Sequence, residues 1–308
     1  MRWLKRYLCI LLVVVLTATP AMAAAPGINA SITRENVLSL LKAYDKDGYY
    51  LVKNGGLSNG SQDFLQWFKG QKRIIDAIDT CVHEQCHGCT FIGGDQERIY
   101  RGNGKFYQVT YTDIFLTKNI AASMPKEGKI FRFKTYVSEP SPYLASNVEG
   151  IYGLLNEFTA YSYGMNNTVK LYKYFKKQAS DFSTWMPFIN NGANDRLAYS
   201  EFRLFMMHYL YYAKKKFPSV YKGIMNNTSF KEAFSYIDTR FRKNISTYEK
   251  YLQKAVTLLT QKGHVAEVRD GIFWCDHRGT GLFEEEYKAI MQVLNKSKYK
   301  KIYNALMQ

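Results

Sequence analysis

Apolar positions recur at helical spacing through most of the chain, and at strand-like density in one central stretch. Over 36–44, Val37, Leu38, Leu40 and Leu41 give the three-and-four spacing of an amphipathic helix, with Ser31 to Thr33 as its capping region. The stretch 48–61 is rich in Gly, Asn and Ser and reads as loop. A second helical pattern runs over 63–88 with a break near Gly70; Ile74, Ile78 and Val82 form its stripe and Ile75 flanks it.

The middle of the chain changes period. Residues 97–100, 106–117 and 130–137 are rich in Tyr, Phe, Val, Ile and Thr, and Gly102-Asn103-Gly104 separates the first two runs as a hairpin turn. A small, mainly antiparallel sheet is expected there, closed off by Pro140 and Pro142. Helical spacing resumes over 148–163, 168–179, 198–216, 229–262 (in two pieces) and 283–306. Pro218, Asn226-Asn227, Gly263 and the stretch 271–281 punctuate it. Helix, then sheet, then many helices defines an α+β chain with a helical C-terminal lobe, not an alternating βαβ chain. A first region over 24–165 and a helical lobe over 166–308 follow from that order.

The N-terminus is patterned differently. Arg2, Lys5 and Arg6 precede a short apolar run over 8–16, and Ala21-Met22-Ala23 supplies a cleavage pattern, so 1–23 is expected to be a secretory signal. A retained signal-anchor is the alternative, but the run is short for a membrane span and no other long apolar run follows. A secreted or periplasmic protein is therefore expected. Removal of the signal takes Cys9 with it and leaves Cys81, Cys86, Cys89 and Cys275, an even number in a disulfide-permissive compartment. A Cys86–Cys89 bridge within one helical turn would be strained, whereas Cys275 could join Cys81 or Cys89.

With 46% hydrophobic and 16% aromatic residues over 308 positions, the chain can build a large core, which excludes a disordered protein. A formal charge of +16 bears on partners, not on chemistry. Lysine clusters at 173–177, 214–216 and 296–301 read as solvated helix faces that could meet anionic envelope polymers. Export and the absence of a recognition motif argue against nucleic acid.

His83-Glu84-Gln85-Cys86-His87 is an H-E-x-x-H pattern late in a predicted helix. Four residues advance about 400° along an α-helix, so both imidazoles project from nearly one line and can reach one zinc ion at about 2.0–2.1 Å. Glu84 is rotated about 100° from His83, which suits a general base rather than a ligand. Two histidines that merely pack the end of an amphipathic helix would leave the same letters. So would a closed structural site of His83, Cys86, His87 and Cys89, but four donors on one short helical stretch cannot surround an ion without unwinding it.

Downstream, Gly153-Leu154-Leu155-Asn156-Glu157 lies on another helical stretch. H-E-x-x-H followed by G-x-x-N-E resembles the gluzincins, the thermolysin-like zinc metallopeptidases. The resemblance covers two short motifs. It implies a zincin-like fold with an active-site helix, zinc held by His83, His87 and Glu157, and Glu84 as the base in peptide hydrolysis. The thermolysin-like pattern continues with Ser-Asp, where this chain has Ala160-Tyr161. The orientation of the histidines must then fall to another group: Asp79 one turn before His83, Asn156, or a backbone carbonyl. Tyr161, Tyr163, His208 and His277 are candidate oxyanion donors. His208 sits among Leu204, Phe205, Met206, Met207, Tyr209 and Leu210, a setting that favours a buried structural histidine. The competing function is a non-enzymatic envelope-associated binding protein in which these residues hold a structural metal or none.

Overall fold

A computed structural model describes residues 25–56, 63–90 and 94–308. The expected signal segment 1–23 and the end of the expected loop, 57–61, lie outside the described residues. The chain is mostly helical with two small antiparallel sheets, an α+β arrangement.

Helix α1 (Arg34–Tyr44) starts where Thr33 Oγ1 accepts the Asn36 amide at 3.1 Å, and buries Val37, Leu40 and Leu41. Helix α2 (Lys46–Asn54) overturns the expectation of loop from residue 48 onward. Its Gly content suggested a breaker, but Gly48 is buried where a Cβ would sit 2.5 Å from Asp45 Oδ2, and Leu51 and Val52 give the helix an apolar face. Among the described residues of that stretch, Gly55-Gly56, past the last turn, behave as the composition suggested.

Two short 3₁₀ turns, Phe64–Phe68 and Ile74–Asp76, flank Gly70, whose φ of +81° ends the first. Helix α3 (Ile78–Thr90) follows and carries the H-E-x-x-H residues. Strands β1 (Gln96–Gly102) and β2 (Lys105–Thr110) pair antiparallel with Ile99 opposite Tyr107, and all three residues of the Gly102-Asn103-Gly104 turn have positive φ. The third expected strand, 130–137, does not form. That stretch lies among short turns and ends in a wide π-type turn, Lys134–Ser138. Its strand-forming residues bury one by one: Val137 is fully buried and the Tyr136 ring meets Phe202 edge-on at 4.9 Å.

Helix α4 (Ala145–Val148) leads into α5 (Ile151–Gln178), one helix where two were expected. Asn166 and Asn167 lie in the gap between the two expected helices, and their amides donate to the buried Asp45 carboxylate at 3.1 and 2.9 Å, so the helix passes straight through. The boundary expected between 165 and 166 falls inside α5, and the hydrophobic core is continuous across it. Helix α6 (Phe182–Lys216) begins earlier than its pattern implied and contains Pro187. The proline leaves the Ser183 carbonyl without its helical donor, and Arg73 Nη2 takes that carbonyl at 3.2 Å. Helices α7 (Pro218–Asn226) and α8 (Thr228–Gln261) follow, α8 again as one piece.

The stretch 271–281, expected only to punctuate, is most of a second sheet. Strands β3 (Ala266–Arg269), β4 (Ile272–Cys275) and β5 (Arg278–Gly281) run antiparallel in that order, each of four residues. Helices α9 (Glu284–Leu294) and α10 (Ser297–Leu306) complete the chain. Helix α5 lies at the centre against α3, α6 and α8. Cys81, Cys86, Cys89 and Cys275 are free and buried, so neither expected disulfide is present. Among the described residues no helix is long and apolar enough to cross a membrane.

The first residue after the histidine pair fixes how α3 meets its neighbour. A Cβ at Gly88 would overlap the Gly55 carbonyl oxygen, and one at Gly55 would overlap the Gln85 carbonyl oxygen, so backbone rests on backbone. Gly88→Ala is expected to cost about 1–3 kcal/mol by forcing the end of α2 off α3. A lowered denaturation midpoint checks this; an unchanged midpoint contradicts it.

Candidate metal centre

Helix α3 presents His83 and His87 on one line, and α5, crossing it, presents Asn156, Glu157 and Tyr161. The two imidazole Nε2 atoms stand 3.1 Å apart, and Glu157 Oε2 lies 3.8 Å from that of His83 and 3.6 Å from that of His87. Three bonds of about 2.0–2.1 Å to a tetrahedral ion require donor separations of about 3.3 Å, so the three atoms are already spaced as one face of such a shell. Glu157 Oε2 is buried and has no hydrogen-bond partner. A buried, unpartnered carboxylate oxygen between two imidazoles fits a cation as its missing partner. The residues present therefore suit a zinc ion, with two nitrogens and one oxygen.

Orientation comes from behind. His87 Nδ1 is 2.6 Å from Asn156 Oδ1; its N–H donates there, which turns Nε2 toward Glu157. His83 is fixed by packing, with the Tyr161 ring edge-on at 4.4 Å between centroids. Asp79 does not take the orienting role considered for it. Its Oδ1 accepts from Thr168 Oγ1 at 3.4 Å, and it faces Asp195 across Gly164, where a Cβ would lie 3.0 Å from one carboxylate and 3.2 Å from the other.

The charges follow from burial. Burial opposes a charged His87, but the Glu157 carboxylate and then Asn156 outweigh it and carry its pKa up to about 9. Burial, His87 and Arg132 together hold His83 well below its usual value. The two rings thus differ: a proton sits on His87 beside Glu157, and a divalent ion must displace it. Burial raises the Glu84 carboxyl, His87 opposing and Glu157 adding to the effect.

Of the other donors considered, the structure brings Tyr161 to the site and removes the rest. The Tyr163 hydroxyl donates to the Tyr100 carbonyl at 3.0 Å and receives Arg240 Nη1 at 3.0 Å, on another side of α5. His208 has both ring nitrogens engaged, Nε2 with Ser123 Oγ at 2.9 Å and Nδ1 with the Tyr299 hydroxyl at 2.7 Å. His277 is exposed in the β4–β5 turn. The closed four-ligand site also fails: Cys86 is buried away from the cluster, and Cys89 Sγ points to the Leu51 carbonyl at 3.8 Å.

Three groups escaped the sequence reading. Arg132 is buried, donates to Glu201 Oε2 at 2.6 Å and to Asn194 Oδ1 at 2.6 Å, and lies 4.6 Å over the Tyr161 ring. Its signal was a charge inside the apolar run Ile130-Phe131-Arg132-Phe133. Tyr136, from the same segment, bears on the Tyr161 hydroxyl. Glu97 is buried behind Asn156; burial and then Glu149 push its carboxyl up, and Asn156 opposes them. Comparison of the chain with family models, with curated proteins and with solved structures finds no match.

Two outcomes follow. Because His87 must lose a proton to bind, zinc affinity should fall about tenfold per unit as pH drops from 9 toward 7. Competition titrations with a chromophoric chelator measure the slope, and a flat profile contradicts the protonated His87. Second, burial pushes Asp79 up to about 7 and Thr168 opposes it. A folded pKa above the unfolded value of about 3.9 gives stability that is whole below pH 4 and drains as pH rises through 7. Asp79→Asn should remove part of that decline, on the order of 1–4 kcal/mol; denaturant curves with the same slope in both proteins would contradict a neutral Asp79.

Proposed function

We propose that this chain is an exported zinc-dependent metallopeptidase with a zincin-like active-site helix. The observation that carries the reading is the convergence of His83, His87 and an otherwise unpartnered Glu157 carboxylate, from the two motifs and the two helices. When bound there, zinc supplies Lewis acidity, polarising a carbonyl oxygen and making water acidic enough to lose a proton near neutrality.

The protein supplies the rest. Glu84, half-buried and with its carboxyl raised, takes the proton of the attacking water and returns it to the leaving amine. Tyr161, against His83, is the phenol positioned to donate to the oxygen on which charge develops. Arg132, locked by Glu201 and Asn194, sets a fixed positive charge over that ring, which strengthens the phenol as a donor. Asn156 keeps His87 in the ligating tautomer. The substrate is a peptide or protein, and export through residues 1–23 places the reaction in the periplasm or outside the cell.

A binding role has support of its own. A groove of about 980 Å³ on the opposite face of α5 is lined by Lys170, Lys231, Arg240 and Lys243, with Tyr107 and Tyr236. Asp47 and Glu232 offset only part of that charge, so anionic envelope polymers are its natural partner. The groove can retain the protein at such a polymer whether or not the metal centre hydrolyses peptides.

Glu84→Gln should keep zinc and fold while peptidase activity drops at least a thousandfold, and Glu157→Ala should lower zinc content together with activity. Metal analysis and turnover of a general peptide substrate, with and without chelator, test both. Full activity in Glu84→Gln would sink the assignment of the base.

A further inference from the structure

A second cluster of metal-type donors lies far along the chain, on the small C-terminal sheet. His264 Nδ1, Cys275 Sγ and a carboxylate oxygen of Asp276 all fall within 4.8 Å of one another. His264 Nδ1 is 2.9 Å from Asp276 Oδ2, and Cys275 Sγ is 4.0 Å from the same oxygen. We propose that His264, Cys275 and Asp276 form a second zinc site, one that fastens the β3–β4 hairpin and plays no part in hydrolysis.

Position gives the first argument. Ala266 pairs with Cys275, so His264 and Asp276 meet at the open end of the hairpin, opposite its Asp270-Gly271 turn. The chain there has just left α8, and β3, β4 and β5 have four residues each, with Phe273 and Cys275 their only buried side chains. Strands this short draw little stability from their ladder, and a cross-link at the open end restrains both strands at once.

Geometry gives the second. Asp276 holds a positive φ of 55°, and its carboxylate is fixed on one side: Oδ1 accepts the Val265 amide at 3.0 Å. The other oxygen is left aimed between the imidazole and the thiol. Zinc bonds of about 2.0–2.3 Å to N, O and S require donor separations of about 3.3–3.7 Å. The observed 2.9 and 4.0 Å bracket that range, and the third pair, His264 Nδ1 and Cys275 Sγ, lies within 4.8 Å, so side-chain adjustment closes the shell.

The donor set gives the third. An imidazole, a thiolate and a carboxylate together suit zinc, whereas a calcium or magnesium site would be built from oxygens. Binding releases the Cys275 thiol proton and moves the His264 proton from Nδ1 to Nε2, so the ring ligates through Nδ1. Three protein ligands leave one position to solvent on the exposed side, where His264 and Asp276 are part-exposed.

Cobalt(II) separates this site from the α3–α5 centre, because only this one contains sulfur. Titrating the reduced, metal-free protein with cobalt should produce a thiolate-to-cobalt charge-transfer band in the near ultraviolet that saturates within two equivalents, one for each centre, and is abolished by excess zinc. The band should persist in Glu157→Ala, disappear in Cys275→Ser, and need at least tenfold more cobalt in His264→Ala. His264→Ala alters a part-exposed side chain and keeps the measurement meaningful if Cys275→Ser does not fold. No band in the wild-type protein, or a band unchanged in both Cys275→Ser and His264→Ala, overturns the proposal, and neither result bears on Glu84 or Glu157.

Discussion

The contact on which the centre of this molecule depends is that between the Glu157 carboxylate of α5 and the two imidazoles of α3. It is an awkward contact for a folded chain to keep. Two ring nitrogens face each other at 3.1 Å, and a buried carboxylate oxygen has no donor of its own. Left uncompensated, such a group costs about 1–3 kcal/mol. Something must hold the helices together against that cost, and it is not the site. Gly55 and Gly88 let backbone touch backbone on one side of α3, and the buried Asp45 accepts from Asn166 and Asn167 on α5. The apolar packing of α5 with Phe234 and Phe241 of α8 through Phe158 supplies the rest.

Behind the rings lies a layer of buried polar groups that serve orientation and charge. Asn156 turns His87; Arg132, bound by Glu201, lies over Tyr161; Asp79 and Asp195 face each other beneath. Burial and the neighbouring Asp79 push the Asp195 carboxyl up, with Arg132 opposing, so the pair favours a shared proton over two charges. The guanidinium is then the fixed positive charge of this layer. It also helps keep His83 neutral, the form in which an imidazole ligates.

Legibility followed the range of the interaction. The helix spacing of α1, the hairpin at 102–104 and the motif residues were readable because each is set by neighbours within a few positions. The residue pattern divides α5 over 164–167 and starts α6 only at 198. Partners from other elements let both helices run through: Asp45 accepts from Asn166 and Asn167, and Arg73 takes the carbonyl freed by Pro187. The stretch 130–137 was read as strand from its residue types, yet its side chains are claimed singly by α6. The same long-range logic hid half the candidate site. H-E-x-x-H and N-E could be read off, but Arg132 and Glu97 come from segments that no spacing ties to the motif.

The two faces of α5 complete this division. Glu157 and Tyr161 point one way, while Asn166 and Lys170, half a helical revolution round, line the basic groove. A positive patch beside the candidate ligands would compete electrostatically with a divalent cation, and the guanidinium of Arg132 near that site is paired with Glu201. On the far face the lysines lie about a helix diameter away, where salt and intervening protein attenuate their field. Periodicity along α5 thus separates two electrostatic settings: the Glu157 carboxylate beside two imidazoles on one side, and Lys170 beside the basic residues of α8 on the other.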